Sequence, residues 1–216
     1  MLGTLVISVV VSAVLVGAWY FIFSRYNRRR SLQILSWLEA ALGPHGEIVG
    51  VRWAGMSRLH VPLRLAAGVF QRANIVVDMV PRELPLHWLM SRWRKQQDTV
   101  TFSADLDVPP AMNLELHNHR WCGRTQRKLP MKIERWGVEQ SVPLVLTSRA
   151  DWHMAGMVSS LLATPHRDFL ELRIRRQSPH LRARVPLESI APGAPAPGQV
   201  FAMLRELAVG ASTSSM

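Results

Sequence analysis

The residue types that could do chemistry are densest between positions 105 and 122. They are Asp105, Asp107, Glu115, His117, His119 and Cys122. In an extended strand, Glu115, His117 and His119 would point to one side, because successive side chains alternate between the two faces. Two imidazoles and a carboxylate are ligands that Zn²⁺ or another divalent ion accepts. These three residues are therefore a candidate metal site, and the wet side of a half-buried strand is the alternative interpretation.

The rest of the sequence carries no familiar signature of catalysis. It has no G-x-S-x-G elbow, no glycine-rich phosphate loop and no H-E-x-x-H pair. The sequence therefore predicts no cofactor and favours a protein without enzymatic activity. The alternative is an enzyme or metal-binding protein with an unrecognised site around Glu115, His117 and His119. The single cysteine, Cys122, rules out an internal disulfide framework and agrees with a reducing compartment.

The elements that would position these residues follow an uncharged N-terminal run, residues 2–23. As a helix this run would reach about 33 Å, which is enough to cross a bilayer. A cleaved signal peptide fits less well, because no Lys or Arg precedes the run and it ends in bulky residues, 19–23, where a peptidase needs small ones. The sequence predicts a permanent membrane-spanning helix that contacts lipids through residues 2–23.

The orientation of this span follows from the cations beside it. Arg25, Arg28, Arg29 and Arg30 all follow the run, and Lys and Arg near a span stay on the cytoplasmic side. We therefore expect the inner (cytoplasmic) membrane, with the N-terminus outside and the C-terminal domain in the cytoplasm. Trp19 and Tyr20 would form an aromatic belt at the inner interface.

The charge balance predicts an anionic contact. The chain has 26 Lys and Arg against 15 Asp and Glu, a net charge of +11. Such a surface suits lipid headgroups first, a protein partner is possible, and nucleic acid is disfavoured. The residues that we expect to make the anionic contact are Arg28, Arg29, Arg30, Arg173, Arg175 and Arg182.

The composition divides the chain into an anchor and one main domain. The divisions are a transmembrane helix over 2–23, a basic juxtamembrane segment over 24–30, an α+β cytoplasmic domain over 31–189, a Pro/Ala/Gly linker over 190–198, a C-terminal helix over 199–209 and a disordered tail over 210–216. Many short strands with about four helices predict an α+β fold with a mainly antiparallel sheet. The expected function is a single-pass membrane-anchored module for protein interaction or membrane-surface binding.

Local patterns predict the elements inside the domain. A helix over 31–43 would be capped by Ser31, and whether the span continues into it stays open. Three strands follow between 46 and 80, with Pro62 favouring an edge position for the second. Residues 84–95 fit helix and strand almost equally well.

The second half of the domain is predicted from the same patterns. Two strands would pair as a hairpin across Pro109-Pro110, and residues 168–177 and 180–188 would form a last hairpin. Two further strands, 131–137 and 141–149, and a helix over 151–163 would lie between them.

Overall fold

Among the residues that the structure describes, the order of elements is a long helix, a nine-stranded sheet interrupted by one short helix, and a C-terminal helix. The computed structural model describes residues 2–43, 46–65, 68–94, 96–110, 114–118, 144–146, 170–190, 202 and 204–209. The elements are α1 (Leu2–Leu42), β1 (Gly46–Ile48), β2 (Arg52–Trp53), β3 (Arg58–Leu65), β4 (Phe70–Asp78), α2 (Pro85–Trp93), β5 (Thr99–Leu106), β6 (Leu114–Asn118), β7 (Leu144–Leu146), β8 (Glu171–Ile174), β9 (Leu181–Pro186), a 3-10 turn (Leu187–Ile190) and the C-terminal helix (204–209).

The helix α1 is unbroken over 41 residues, about 60 Å. No proline lies inside it, and the arginines at 28–30 are good helix formers, so nothing ends it before Gly43. The helix of the apolar run therefore continues into the 31–43 segment. The predicted cap at Ser31 is wrong, because its hydroxyl donates to the carbonyl of Asn27, 2.9 Å away, from inside the helix. We call residues 2–23 the apolar half of α1 and residues 24–42 the docked half.

The sheet is antiparallel throughout, with the strand order β1-β3-β4-β5-β9-β8-β6-β7 and β2 also paired with β3. Together with the helices it gives the predicted α+β class. The last hairpin is confirmed, since β8 pairs with β9 from Ile174 opposite Leu181 to Glu171 opposite Arg184. The hairpin across Pro109-Pro110 is wrong, because β8 and β9 are inserted between β5 and β6.

Pro62 does not place its strand at an edge, because β3 lies between β1 and β4. The Pro62 carbonyl accepts from Val49, in the short stretch that separates β1 from β2. In a strand the amide and carbonyl of one residue point to the same side. The position of the missing N–H of Pro62 therefore faces the stretch between two short strands and not β4, so the pairing with β4 needs no hydrogen bond from Pro62.

One face of the sheet is the core. Its buried apolar side chains are Leu59, Val61, Leu63, Ala73, Ile75, Val77, Val100, Phe102, Ala104, Leu106, Leu172, Ile174, Leu181 and Ala183. Ile34, Leu38, Ala41 and Leu42 of the docked half and Leu204, Leu207 and Ala208 of the C-terminal helix complete the same cluster. In the described part of the chain, the docked half of α1 and the C-terminal helix thus form one layer and the sheet a second, and each buries the apolar face of the other.

Several predictions made from the sequence lie outside the described residues. They are the strand at 131–137, the helix at 151–163, nearly all of the linker and the disordered tail. The strand predicted over 141–149 is represented by β7, which pairs with β6.

Candidate functional site

The two halves of α1 have different surroundings. One side of the docked half is buried at Asn27, Ser31, Ile34 and Leu38, a spacing of three to four residues that forms a single stripe. The apolar half is exposed around nearly its whole circumference. Within the described residues, α1 is the one helix long and apolar enough to cross a membrane; its most apolar window has a mean hydropathy of 2.4 and is 0% buried. Signal sequences near an N-terminus share this length and composition.

A cluster of polar side chains, buried or half-buried, joins α1 to the sheet domain, and we call it the junction cluster. Its members are Asn27, Arg30, Arg82, Glu83 and Asp98. The Asn27 amide donates from Nδ2 to Glu83 Oε1 at 3.1 Å, and its Oδ1 accepts from Arg82 Nη1 at 3.3 Å. Arg82 Nη2 also donates to Asp98 Oδ2 at 2.9 Å, so the guanidinium of Arg82 connects Asn27 of α1 to Asp98, the residue before β5.

Asp98 is the centre of this cluster. Its Oδ1 accepts from the Val80 amide at 2.7 Å, and Arg30 Nε lies 3.9 Å from its Oδ2. Its backbone carbonyl accepts from the Leu187 amide at 2.8 Å. One residue thus ties together α1, the segment after β4 and the 3-10 turn after β9.

The charges of the junction cluster balance, two guanidinium groups against two carboxylates. Asn27 is 0% exposed, and Glu83 and Asp98 are buried. Buried ion pairs of this kind are weak sources of net stability, but removing one partner is costly because the other stays buried without its counter-charge. The cluster therefore favours one orientation of the domain on α1 over others.

Aromatic side chains extend the contact above the junction cluster into the apolar half of α1. The Trp19 ring lies edge-on to Trp88 of α2 with the centroids 5.8 Å apart, and 4.5 Å from the Phe23 ring. Trp19 Nε1 donates to the Arg82 carbonyl at 2.9 Å. The predicted belt residue Trp19 is thus turned toward the domain, whereas its neighbour Tyr20 is exposed.

Residues 84–95, ambiguous in the sequence, contain the helix α2. It begins at Pro85, which suits the first helical position, and ends at Trp93, after which the Arg94 amide donates to the Met90 carbonyl. In a core helix the apolar side chains are buried, but in α2 the buried residue is Ser91. Leu86, Leu89, Met90 and Trp93 are 75%, 59%, 47% and 86% exposed.

Contacts with the two ends of the docked half of α1 distinguish two ends of the sheet. Met79 and Asp98, at the near end, contact Ser31 and Arg30. At the far end, α1 finishes at Leu42 close to β1. From residue 27 to residue 42 the helix rises about 22 Å, and from residue 99 to residue 106 β5 rises about 23 Å.

The basic residues predicted to meet an anionic surface fall into two groups, one on α1 near its apolar half and one toward the far end of the sheet. Arg28 and Arg29 are exposed on α1 just beyond the apolar half, and Arg30 is half-buried beside Asp98. Arg175 is exposed at the far end, in the turn where Ser178 Oγ donates to Asp105 Oδ1 at 2.7 Å.

The charged side of the β8–β9 hairpin is less exposed to solvent than the alternation of charged and apolar residues in its sequence predicts. Arg182 is exposed in β9, but Arg173 is ion-paired with the buried Glu171. Next to them Arg184 Nε donates to Thr99 Oγ1 at 3.2 Å. The Thr101 hydroxyl, opposite Arg184 in the ladder, is buried and has no hydrogen-bond partner among the described residues. Of the three cations proposed here, Arg175 and Arg182 have exposed side chains and Arg173 is half-buried.

Only two of the three residues of the candidate metal site belong to the described part of the chain. Glu115 and His117 lie on β6, in register with Arg173 and Glu171 of β8, and His119 lies outside the described residues. Elsewhere in the described part of the chain, no three His, Cys, Asp or Glu side chains come together as a metal site would need. The metal site at Glu115, His117 and His119 stays a prediction.

The junction cluster and the exposed face of α2 are features that sequence reasoning missed. A signal for the first exists in the sequence: Asn27, Ser31, Ile34 and Leu38 repeat at intervals of four, three and four, which continues the helix past the arginines. Comparisons of the chain with models of known protein families and with curated proteins give no match.

Proposed function

We propose that the protein is a single-pass membrane protein whose basic domain is held in a fixed orientation against the cytoplasmic surface of the inner membrane, as a module for surface binding and protein interaction. In this proposal the apolar half of α1 crosses the bilayer. The junction cluster positions the domain beneath it.

The continuity of α1 carries this proposal. A peptidase cut after residue 23 would fall inside an unbroken helix and remove Trp19, whose indole donates to Arg82 and whose ring contacts Trp88. A signal sequence is removed from the mature protein, so contacts between it and the folded domain would be lost on cleavage. A membrane-spanning helix that continues into the docked half instead fixes the distance of the domain from the bilayer and its rotation about the helix axis.

The exposed cations support the orientation. Arg25, Arg28 and Arg29 are open to solvent within the first two turns after the apolar half, where they would meet anionic headgroups. Arg175 and Arg182 lie toward the far end of the sheet and point to a second partner, an acidic protein surface away from the supporting bilayer. A protein held this way presents its far end to the cytoplasm.

A reporter that is active only outside the cytoplasm tests the orientation when it is fused after Met216. We expect a silent fusion in the membrane fraction. Replacing Arg25, Arg28 and Arg29 by Gln should raise reporter activity, since positive charge within about 15–20 residues of a span sets its orientation. Arg30 is kept because it faces Asp98.

The matched control replaces three exposed cations far from the span, Arg64, Arg72 and Arg182, by Gln. This variant should leave the reporter silent. Strong activity of the unmodified fusion would overturn the proposed orientation, and release of the chain from membranes by alkaline carbonate would overturn the anchor itself.

A further inference from the structure

We propose that α2 is a second membrane contact, a short amphipathic helix that lies in the interfacial layer of the bilayer crossed by α1. The proposal rests on the proposed anchor and adds to it a lipid-binding surface on the domain. The apolar side chains of Leu86, Leu89, Met90 and Trp93 would enter the boundary between headgroups and acyl chains.

The exposed face of α2 is the first observation. These four residues follow the spacing i, i+3, i+4 and i+7, which places them along one side of a helix. All four are exposed, and Trp93 at 86% is nearly free of protein contact. Contiguous apolar surface of this kind on a folded domain marks an interaction site.

The position of α2 identifies the occupant. The helix connects the near end of β4 to the near end of β5, so it lies at the end of the sheet that faces the apolar half of α1. Trp88, on its protein-facing side, contacts Trp19, which is four residues before the end of the apolar half. The exposed face of α2 therefore lies beside the last turn of the apolar half, at the depth where headgroups and acyl chains meet.

A second apolar side chain is found near this level on another part of the domain. Met56, in the turn between β2 and β3, is 48% exposed, and Ser24 Oγ lies 3.5 Å from its sulfur. Ser24 is the first residue after the apolar half. Two separate apolar features therefore lie beside the same turns of α1, as a flat lipid surface requires.

The residue types on α2 suit a bilayer better than a protein groove. Tryptophan favours the interfacial layer, where its ring is shielded and its N–H stays hydrated. Arg92 lies over the Trp88 ring at 5.5 Å and Arg94 is exposed at the end of the helix, so cations flank the apolar face. Basic residues beside an apolar helical face are typical of helices that lie in the membrane plane.

Site-specific fluorescence on the full chain in bilayer discs tests this contact. In a C122A background, an environment-sensitive dye is attached to a cysteine at position 89 or, as the control, at position 108. Val108 is a matched control because it is 50% exposed and follows the far end of β5. The discs contain phosphatidylcholine and phosphatidylglycerol, with a lipid that carries a quencher just below its headgroup.

We expect blue-shifted emission and severalfold stronger quenching for L89C than for V108C. Equal, weak quenching at both positions would overturn the proposal. A blue shift at position 89 without lipid quenching would also overturn it, because that result means a protein contact such as a second copy of this chain.

A third label separates this proposal from the anchor. V10C lies in the apolar half and should be quenched by a lipid with its quencher near the bilayer centre. Quenching at position 10 without quenching at position 89 removes the α2 contact and keeps the anchor. No quenching at position 10 removes the anchor itself. A W93C label, at a position where the native side chain is 86% exposed, repeats the measurement at a second site and should behave as L89C.

Discussion

The docked half of α1 and the helix α2 carry apolar side chains at the same helical spacing but bury them in opposite ways. Ile34, Leu38 and Leu42 of α1 are buried in the sheet core. Leu86, Leu89 and Trp93 of α2 are exposed. The spacing of apolar residues determines that a helix has an apolar face, and the surroundings determine which medium that face meets.

The difference follows from where each helix lies on the sheet. The buried side chains of the docked half of α1 belong to the same apolar cluster as the core-facing side chains of the strands. The helix α2 lies beyond the near end of the strands and is held through Trp88 and Ser91. In the described part of the chain the apolar face of α2 is exposed and not packed on the sheet, and we propose that this face meets lipid.

The largest effect should come from truncating matched leucines on the two helices. Leu38→Ala should lower the free energy of unfolding of the domain by about 2–5 kcal/mol, because it leaves a cavity in the core. Leu89→Ala should change it by less than about 0.5 kcal/mol, as for other exposed positions. Urea unfolding of the full chain in nonionic detergent, followed by tryptophan fluorescence, measures both. Comparable losses in the two variants would mean that α2 belongs to the core.

An intermediate effect is expected at the point where the buried stripe of α1 changes from apolar to polar. Asn27→Ala removes the donor to the buried Glu83 carboxylate and should cost about 1–3 kcal/mol in the same unfolding experiment. Gln33→Ala, on the exposed side of the same helix, is the control and should stay within about 0.5 kcal/mol of the original chain. A neutral result for Asn27→Ala would show that the junction cluster does not hold the domain.

The smallest effect is expected on α2 itself. Arg92→Ala removes the guanidinium above Trp88 and should lower the unfolding free energy by about 0.5–1 kcal/mol, the range of an exposed cation–π contact. Arg92→Lys keeps a cation and should recover part of the loss. Arg94→Ala removes another exposed cation and serves as the reference, so identical losses at positions 92 and 94 would rule out a specific ring contact.

Much of the local structure could be predicted from the sequence, because it depends on short-range chemistry. Alternating apolar residues predicted the strands around Leu59, Ile75 and Leu172, and the pattern of residues 168–188 predicted the last hairpin. The uncharged run over 2–23 predicted a helix of spanning length. Each of these depends on neighbours within about one turn or one hairpin, which the sequence displays directly.

The pairing of distant segments was not predictable in the same way. The two strands on either side of Pro109-Pro110 looked like neighbours, yet β9 and β8 separate them, because strand order depends on which edges are left open in the folded sheet. Likewise, nothing local to Asp98 reveals that it meets Arg82 and Arg30. The sequence by itself determined which faces are apolar, which segment is long enough to span, and where the positive charge lies. Only the tertiary structure decided that α1 joins its apolar half to the core without a break and that α2 turns its apolar face outward, because both depend on contacts between residues far apart in the chain.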